Sequence, residues 1–281
     1  MKQCISIKKI LLLPILFLLS VYGYGQVTRV NHVSAHIVGA EDIYKLFNQR
    51  LGLPVVFPFQ SFGSFSSGGL WMGNITFETV EAGNGDVNAG RIKGIALEPT
   101  GNTDAIVLLL DKMKITHSNP DVSYWDFNGS RQKFYTITDL TDLSSDKRRV
   151  FICDYEQRGF INSFSAKANS ALKATRGGVL GLIGVNTIVI QTTDVPAQTK
   201  LWKTLPGIKV KGDGRVEFDM GGPEILIEPG TEDCVKEIVL TVRSTANAAA
   251  FLAKENYLKK EGNTLLIDPG KAGGLRILIE E

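Results

Sequence analysis

Few side chains in this sequence can do chemistry. Histidine occurs three times, as His32, His36 and His117, which excludes a His-rich metal cluster. Imidazole is nonetheless the side chain that titrates near neutrality and the commonest metal ligand. Two of the three share the run Arg29-Val30-Asn31-His32-Val33-Ser34-Ala35-His36-Ile37. Alternation there puts Val33, Ala35 and Ile37 on one face and His32, Ser34 and His36 on the other. Beyond Cys4 the cysteines are Cys153 and Cys234, with no Cys-x-x-Cys pair, which argues against a zinc ribbon or a thioredoxin-like site. Whether those two are bridged or separate thiols stays open, because spacing supplies no geometry. Gly83-Asn84-Gly85-Asp86 reads as a turn and lacks the strand–helix setting of a phosphate loop, so no nucleotide cofactor is expected. No Ser/His/Asp order or paired-carboxylate motif marks a hydrolase.

The elements that must position these residues belong to an ordinary globular chain. Of 281 residues, 43% are hydrophobic, 21% charged and 9% aromatic, which excludes disorder, collagen and a small disulfide scaffold and suggests one or two domains. The formal charge of +2 includes Lys2, Lys8 and Lys9. The remainder is close to neutral and has no basic stripe, so nucleic acid is not an expected partner. Lys8 and Lys9 precede the apolar run Ile10–Leu19, and Gly23 and Gly25 stand at the small-residue positions before Gln26. This is the pattern of a signal peptide over residues 1–25. The expectation is an exported protein, periplasmic or secreted, cleaved near Gly25. No later stretch reaches about 18 apolar residues, so no membrane contact is expected after removal of the leader.

The rest of the chain repeats itself: a short alternating strand, a helix, then further strands. The first copy runs from Arg29–Ile37 through a helix at Glu41–Gly52, with Ile43, Leu46, Phe47 and Leu51 as its apolar stripe. The Gly/Ser segment Ser61–Gly69 reads as a loop and Leu70–Glu81 as strand. The second copy opens at Arg91–Pro99, continues in a helix at Thr103–Lys114 and closes at Arg149–Tyr155. The third opens at Gly184–Ile190, with a helix at Val195–Leu205 and a last strand at Glu224–Glu228. The fourth opens at Val235–Val242, with a helix at Ala246–Leu258 and a last strand at Leu275–Glu280. His32, Gly94, Asn186 and Glu237 are taken as equivalent positions. The Ser/Ala/Gly-rich stretch 158–182 reads as a linker between halves 26–157 and 183–281. Repetition of one supersecondary unit argues for repeated architecture.

A strand–helix–three-strand unit in four copies resembles the vicinal oxygen chelate superfamily of glyoxalase I, bleomycin-resistance proteins and extradiol dioxygenases. The likeness rests on Asn31-His32-Val33 before a helix ending Leu51-Gly52-Leu53, and on Gly69-Leu70-Trp71-Met72-Gly73-Asn74-Ile75-Thr76-Phe77-Glu78. Gly94–Pro99, Phe151-Ile152-Cys153-Asp154-Tyr155, and Leu201-Trp202 ahead of Leu205-Pro206-Gly207 extend it over most of the chain after Gln26. The resemblance implies an α+β fold: four βαβββ units paired into two glyoxalase-like, cup-shaped open barrels. The expected state is a monomer or a homodimer.

In metal-dependent members each unit offers one ligand from its first strand and one from its last. The resemblance carries these to His32 and Glu78, and a neutral imidazole with a carboxylate suits Zn²⁺, Fe²⁺, Mn²⁺ or Ni²⁺. The second unit departs from the pattern, with Gly94 where His is usual and its last-strand position open between Cys153 and Asp154. Asp154 or Glu98 would supply a third metal ligand, and Glu78 or Glu98 a proton-transfer base. In the C-terminal cup Asn186, Ile225 and Glu237 take the positions, which argues against a metal there. Trp71, Trp125 and Trp202 read as core or cup lining, and His36 and His117 as surface or loop residues. Two functional readings follow. One is a divalent-metal-dependent lyase, isomerase or dioxygenase acting on a small molecule with adjacent oxygens. The other is a non-catalytic protein that binds or sequesters a small molecule, of the bleomycin-resistance type.

Overall fold

Alternating strands bury one face against short amphipathic helices and turn the other inward, so each half of the chain forms one mixed sheet. The computed structural model describes residues 26–83, 90–127 and 129–281. The expected leader, and all but the first residue of the turn Gly83-Asn84-Gly85-Asp86, lie outside the described residues. The N-terminal half contains β1 (Val27–Ile37), α1 (Ala40–Lys45, continued by a π-helical turn Leu46–Arg50), β2 (Val55–Ser61), β3 (Ser66–Trp71) and β4 (Thr76–Glu81). Then follow β5 (Arg91–Pro99), α2 (Thr103–Met113), β6 (Asp121–Phe127), β7 (Ser130–Asp139) and β8 (Arg149–Tyr155). Their order across the sheet is β2-β3-β4-β1-β5-β8-β7-β6. After the connecting helix α3 (Arg158–Ala174), the second half contains β9 (Leu182–Thr192), α4 (Val195–Thr204), β10 (Ile208–Val210), β11 (Arg215–Phe218) and β12 (Glu224–Pro229). It ends with β13 (Cys234–Val242), α5 (Thr245–Lys254), β14 (Leu258–Glu261), β15 (Thr264–Ile267) and β16 (Ile277–Glu280). Its order, β10-β11-β12-β9-β13-β16-β15-β14, repeats the first topology strand for strand.

Local chemistry fixes the helix starts. Asn102 Oδ1 accepts from the Ala105 amide at 3.0 Å, Asp194 Oδ1 from Ala197 at 2.9 Å and Ser244 Oγ from Asn247 at 3.3 Å. Each satisfies one of the orphan amides that every helix N-terminus leaves. For α1 the carboxylate of Glu81 on β4 does this work, accepting from Gly39 and Ala40 at 2.9 Å each. The outer face of the N-terminal sheet buries Val33, Ala35, Ile37, Phe47, Phe77, Ile95, Ile106 and Leu110, and it joins the C-terminal core in one apolar cluster.

The two halves are stapled together. Asn74 donates to Val185 O at 2.7 Å and accepts from the Val185 amide at 2.9 Å. Ser145 Oγ donates to Asp233 O, and Lys147 and Arg91 both pair with Glu232. Arg148, fully buried, donates from Nε to Leu143 O at 3.0 Å, from Nη1 to Gln191 O at 3.3 Å and from Nη2 to Gln198 Oε1 at 3.1 Å. Cys153 and Cys234 are free and buried. Among the described residues no helix is long and apolar enough to cross a membrane.

Several elements differ from the sequence reading. The Gly/Ser segment is not all loop: Ser66–Trp71 is β3, and a turn at Met72–Ile75 separates it from β4. The fourth helix stops at Lys254, where Asn256 adopts a left-handed conformation (φ 58°), and Leu258 already belongs to β14. The stretch between the halves carries a 17-residue helix whose buried side is Ala168 and Leu172. It starts where Arg158 donates to Pro99 O, and Asn169 further along accepts from Trp71 Nε1 at 3.3 Å.

Candidate functional site

Register identifies the four equivalent inward positions. Where β1 pairs with β5, Asn31 and Lys93 are each an extra, bulged residue, and His32 and Gly94 follow them. Where β9 pairs with β13, the bulged residues are Asn186 and Lys236, followed by Thr187 and Glu237. A bulge re-aims the next side chain. The first-strand positions are therefore His32, Gly94, Thr187 and Glu237, and the assignment of Asn186 was one residue short. Two residues further along, Ser34 pairs with Glu78, Ala96 with Phe151, Val189 with Leu226 and Val239 with Leu278. Leu226, not Ile225, is thus the last-strand position of the third unit. In the second unit it is Phe151, rather than Cys153 or Asp154.

The N-terminal cup brings His32 and Glu78 together, with His32 Nε2 3.9 Å from Glu78 Oε2 and side-chain exposures of 10% and 19%. Burial lowers the His32 pKa from 6.5 to about 4, because an imidazolium there would lose its hydration. Burial likewise pushes the Glu78 carboxyl above its ordinary value. The Ser67 hydroxyl opposes that shift without cancelling it, and it is fully buried with no well-aligned hydrogen bond of its own. Burial therefore works against charge on both groups, and at 3.9 Å the imidazole and the carboxyl face each other without a direct hydrogen bond.

Gly94 and Phe151 fill the other half of this cup. A Cβ on Gly94 would lie 2.1 Å from Ser34 Oγ and 3.3 Å from the Phe151 ring, so the Ser34 hydroxyl, with the ring behind it, occupies the space a larger residue would need. Phe151 also meets the His32 ring edge to face at 5.7 Å and packs with Ala96, Cys153, Tyr135, Ile137 and Tyr155 in a cluster separate from the main core. Burial pushes the Cys153 thiol up to about 12 and the Tyr155 hydroxyl well above 10, so the thiol is not a nucleophile at neutral pH. Further rings reach the rim: Tyr135 and Tyr155 at 6.1 Å, Phe134 and Trp125 at 4.8 Å, Trp125 and Phe62 at 6.4 Å. Phe62 follows β2 and Trp125 lies on β6, so aromatic side chains link the two edge strands of the sheet. Trp125 is 41% exposed, Trp71 is partly buried, and Trp202 is fully buried in the core.

Asp154 does not join this pair. It faces the helix side, where Oδ2 accepts from Thr103 Oγ1 at 2.7 Å and Oδ1 from Arg158 Nη2 at 2.6 Å. Glu98 does lie on the cup face. Its Oε2 accepts from Arg29 Nε at 2.7 Å and from Asn31 Nδ2 at 3.0 Å, while Asn31 Oδ1 lies 2.9 Å from His32 Nδ1. Sequence reading missed Asn31 and Phe151. The bulge was the missing signal, and one extra residue is invisible to a count of alternating positions. His36 lies on β1 rather than in a loop, and His117 bridges Ser118 O and Asp111. In the C-terminal cup Glu237 is held by Arg276 Nε at 3.1 Å, and the other equivalent positions are Thr187, Leu226 and Leu278.

These donors do not fit a resident divalent metal. A catalytic site ordinarily keeps three protein ligands, whereas this cup brings only one imidazole and one carboxylate together, opposite Gly94 and a phenyl ring, while Glu98 on the same face is held by Arg29 and Asn31. Among the described residues no group of three His, Cys, Asp or Glu side chains could hold a metal ion.

No protein-family model matches the sequence, and no curated protein matches it. Solved structures do match. A hypothetical protein from Staphylococcus aureus superposes with a TM-score of 0.60 at 11% identity, over 91% of this chain and 99% of that one. A variant of homoprotocatechuate 2,3-dioxygenase from B. fuscum gives 0.61 at 11% identity, over 92% and 72%. The 2,3-dioxygenase LapB from Pseudomonas sp. KL28 gives 0.57 at 10% identity, over 91% and 92%. Identities this low speak for fold alone. Four βαβββ units paired into two eight-stranded cups give this chain a fold shared with these dioxygenases, the architecture that the sequence resemblance to the vicinal oxygen chelate superfamily implies.

Proposed function

We propose that the N-terminal cup binds a small organic molecule at His32 and Glu78 without a resident metal, as a binding or sequestering protein of the bleomycin-resistance type that is exported after cleavage near Gly25. The observation that carries this reading is the replacement of half the inward donor set by Gly94 and Phe151. What remains suits ligand recognition: aromatic walls and a few convergent polar groups at the floor. His32 and Glu78 supply the polar contacts, with the buried Ser67 hydroxyl beside Glu78, and Phe151, Tyr135 and Tyr155 supply apolar surface. The metal-dependent lyase, isomerase or dioxygenase is the second reading. It is favoured by the one complete first-strand and last-strand pair, His32 with Glu78.

The test is a thermal-shift screen of small hydroxylated ring compounds in excess chelator. Stabilising compounds are expected to act on the wild type and to lose about tenfold or more in affinity with His32→Ala, the cost of a buried hydrogen bond left unmade. Asp154→Ala is the contrasting variant. It removes the acceptor for Thr103 and Arg158 and is expected to cost about 3 kcal/mol of stability while leaving affinity unchanged. Binding that vanishes in chelator and returns with added metal would establish the second reading.

A further inference from the structure

The floor of the cup carries a directional hydrogen-bond chain. Glu98 pairs with Arg29 at 2.7 Å, and an ionised carboxylate can only accept hydrogen bonds. The Asn31 nitrogen atom must therefore face Glu98, as it does at 3.0 Å. That orientation turns Asn31 Oδ1, which can only accept, onto His32 Nδ1 at 2.9 Å. An accepting oxygen at Nδ1 requires the proton to sit there, and a neutral imidazole then presents a bare lone pair at Nε2. Nε2 is the nitrogen that faces Glu78 across 3.9 Å. The bulge at Asn31 makes the chain possible, because it turns two consecutive side chains, Asn31 and His32, to the same cup face.

We propose that Asn31 and Glu98 are positioning residues that lock His32 in its Nδ1–H form, so that the cup accepts a hydrogen bond at Nε2 and selects ligands that donate one. The proposal rests on the reading of this cup as the binding site and adds the chemistry of the group bound there. It favours a hydroxyl or N–H over an ether, a ketone or any other group that only accepts. The rings on the wall place that donor on a flat, apolar framework, with phenol as the simplest probe.

The tautomer is read by ¹⁵N NMR of the ring nitrogens in histidine-labelled, ligand-free protein. Only three histidines are present, so His32→Gln assigns the signal. The expected wild-type result is a protonated Nδ1 and a bare Nε2. Asn31→Leu is expected to release the lock and populate the Nε2–H form. Glu98→Gln keeps an acceptor for Asn31 and is expected to preserve the wild-type signature, while Glu98→Ala is expected to weaken it. A wild-type His32 protonated at Nε2, or an unchanged signature in Asn31→Leu, would overturn the proposal. In the same protein phenol is expected to bind about tenfold more tightly than anisole, the value of one hydrogen bond, and equal affinity would overturn the selectivity. Binding of neither probe would count against the cup as the binding site, while the ring nitrogens still decide the tautomer.

Discussion

Replacing Arg148 with alanine is expected to cost about 4 kcal/mol of stability and to separate the unfolding of the two halves. The guanidinium is fully buried, and its three donations reach Leu143 O in its own half and Gln191 O and Gln198 Oε1 in the other. Burial pulls its pKa down while nearby Asp233 pulls it back up. Its charge is therefore stabilised by surrounding oxygens rather than by water. Alanine would leave three acceptors without donors, at about 1–3 kcal/mol for each that water does not reach, and a void where the side chain packed. Arg148→Met retains much of the volume and is expected to recover part of the loss. Urea unfolding followed by two probes, one in each half, checks this: coincident transitions in the wild type and split transitions in Arg148→Ala. A loss below about 1 kcal/mol with coincident transitions would show that Asn74–Val185 and the Glu232 pairs suffice.

Acid should destabilise the protein through His32. In the unfolded chain this imidazole takes its proton near pH 6.5, whereas in the cup it resists down to about 4. Between those values the unfolded state binds a proton that the folded state does not, so stability falls as pH drops through the window and levels off below it. The full difference corresponds to about 3 kcal/mol. Glu78 runs the other way. Its carboxyl is raised from 4.5, so the folded state holds a proton that the unfolded state has already lost, and stability declines as pH rises above that value. The two effects partly offset each other, and comparison with His32→Gln isolates the first. Urea midpoints measured from pH 7 to pH 4 should show wild type losing about 3 kcal/mol relative to that variant. Parallel curves would mean that His32 is solvated and not held neutral by burial.

The larger architecture was legible because its signals are periodic. β8 was read at Arg149–Tyr155, its observed bounds, and the resemblance implied four βαβββ units paired into two cups, which the repeated strand order matches. What escaped the reading had specific physical causes. β3 looked like a loop because Gly68 and Gly69 are a loop's residues; here they make room for the Tyr44 and Phe57 rings, which a Cβ would meet at 2.7 and 2.2 Å. α3 was masked because Ser and Ala dominate it, leaving Ala168 and Leu172 as its buried residues. In the candidate site, His32 and Glu78 were legible through the resemblance. The third-unit positions were not, because the bulge at Asn186 shifts the register by one residue. Asp154 was misleading for a different reason. A carboxylate in the last strand resembles a ligand, and only structure reveals that Thr103 and Arg158 already hold it on the opposite face.

The most direct test of the account is the metal content of the chain beginning at Gln26, purified without chelator or nickel resin, before and after addition of Zn²⁺, Mn²⁺ or Fe²⁺. With Gly94 and Phe151 in place of two donors, the prediction is substoichiometric metal that washes away on desalting, identical in wild type and His32→Ala. Near-stoichiometric metal that survives desalting and is lost in both His32→Ala and Glu78→Ala would contradict the account and place a metal centre in the N-terminal cup.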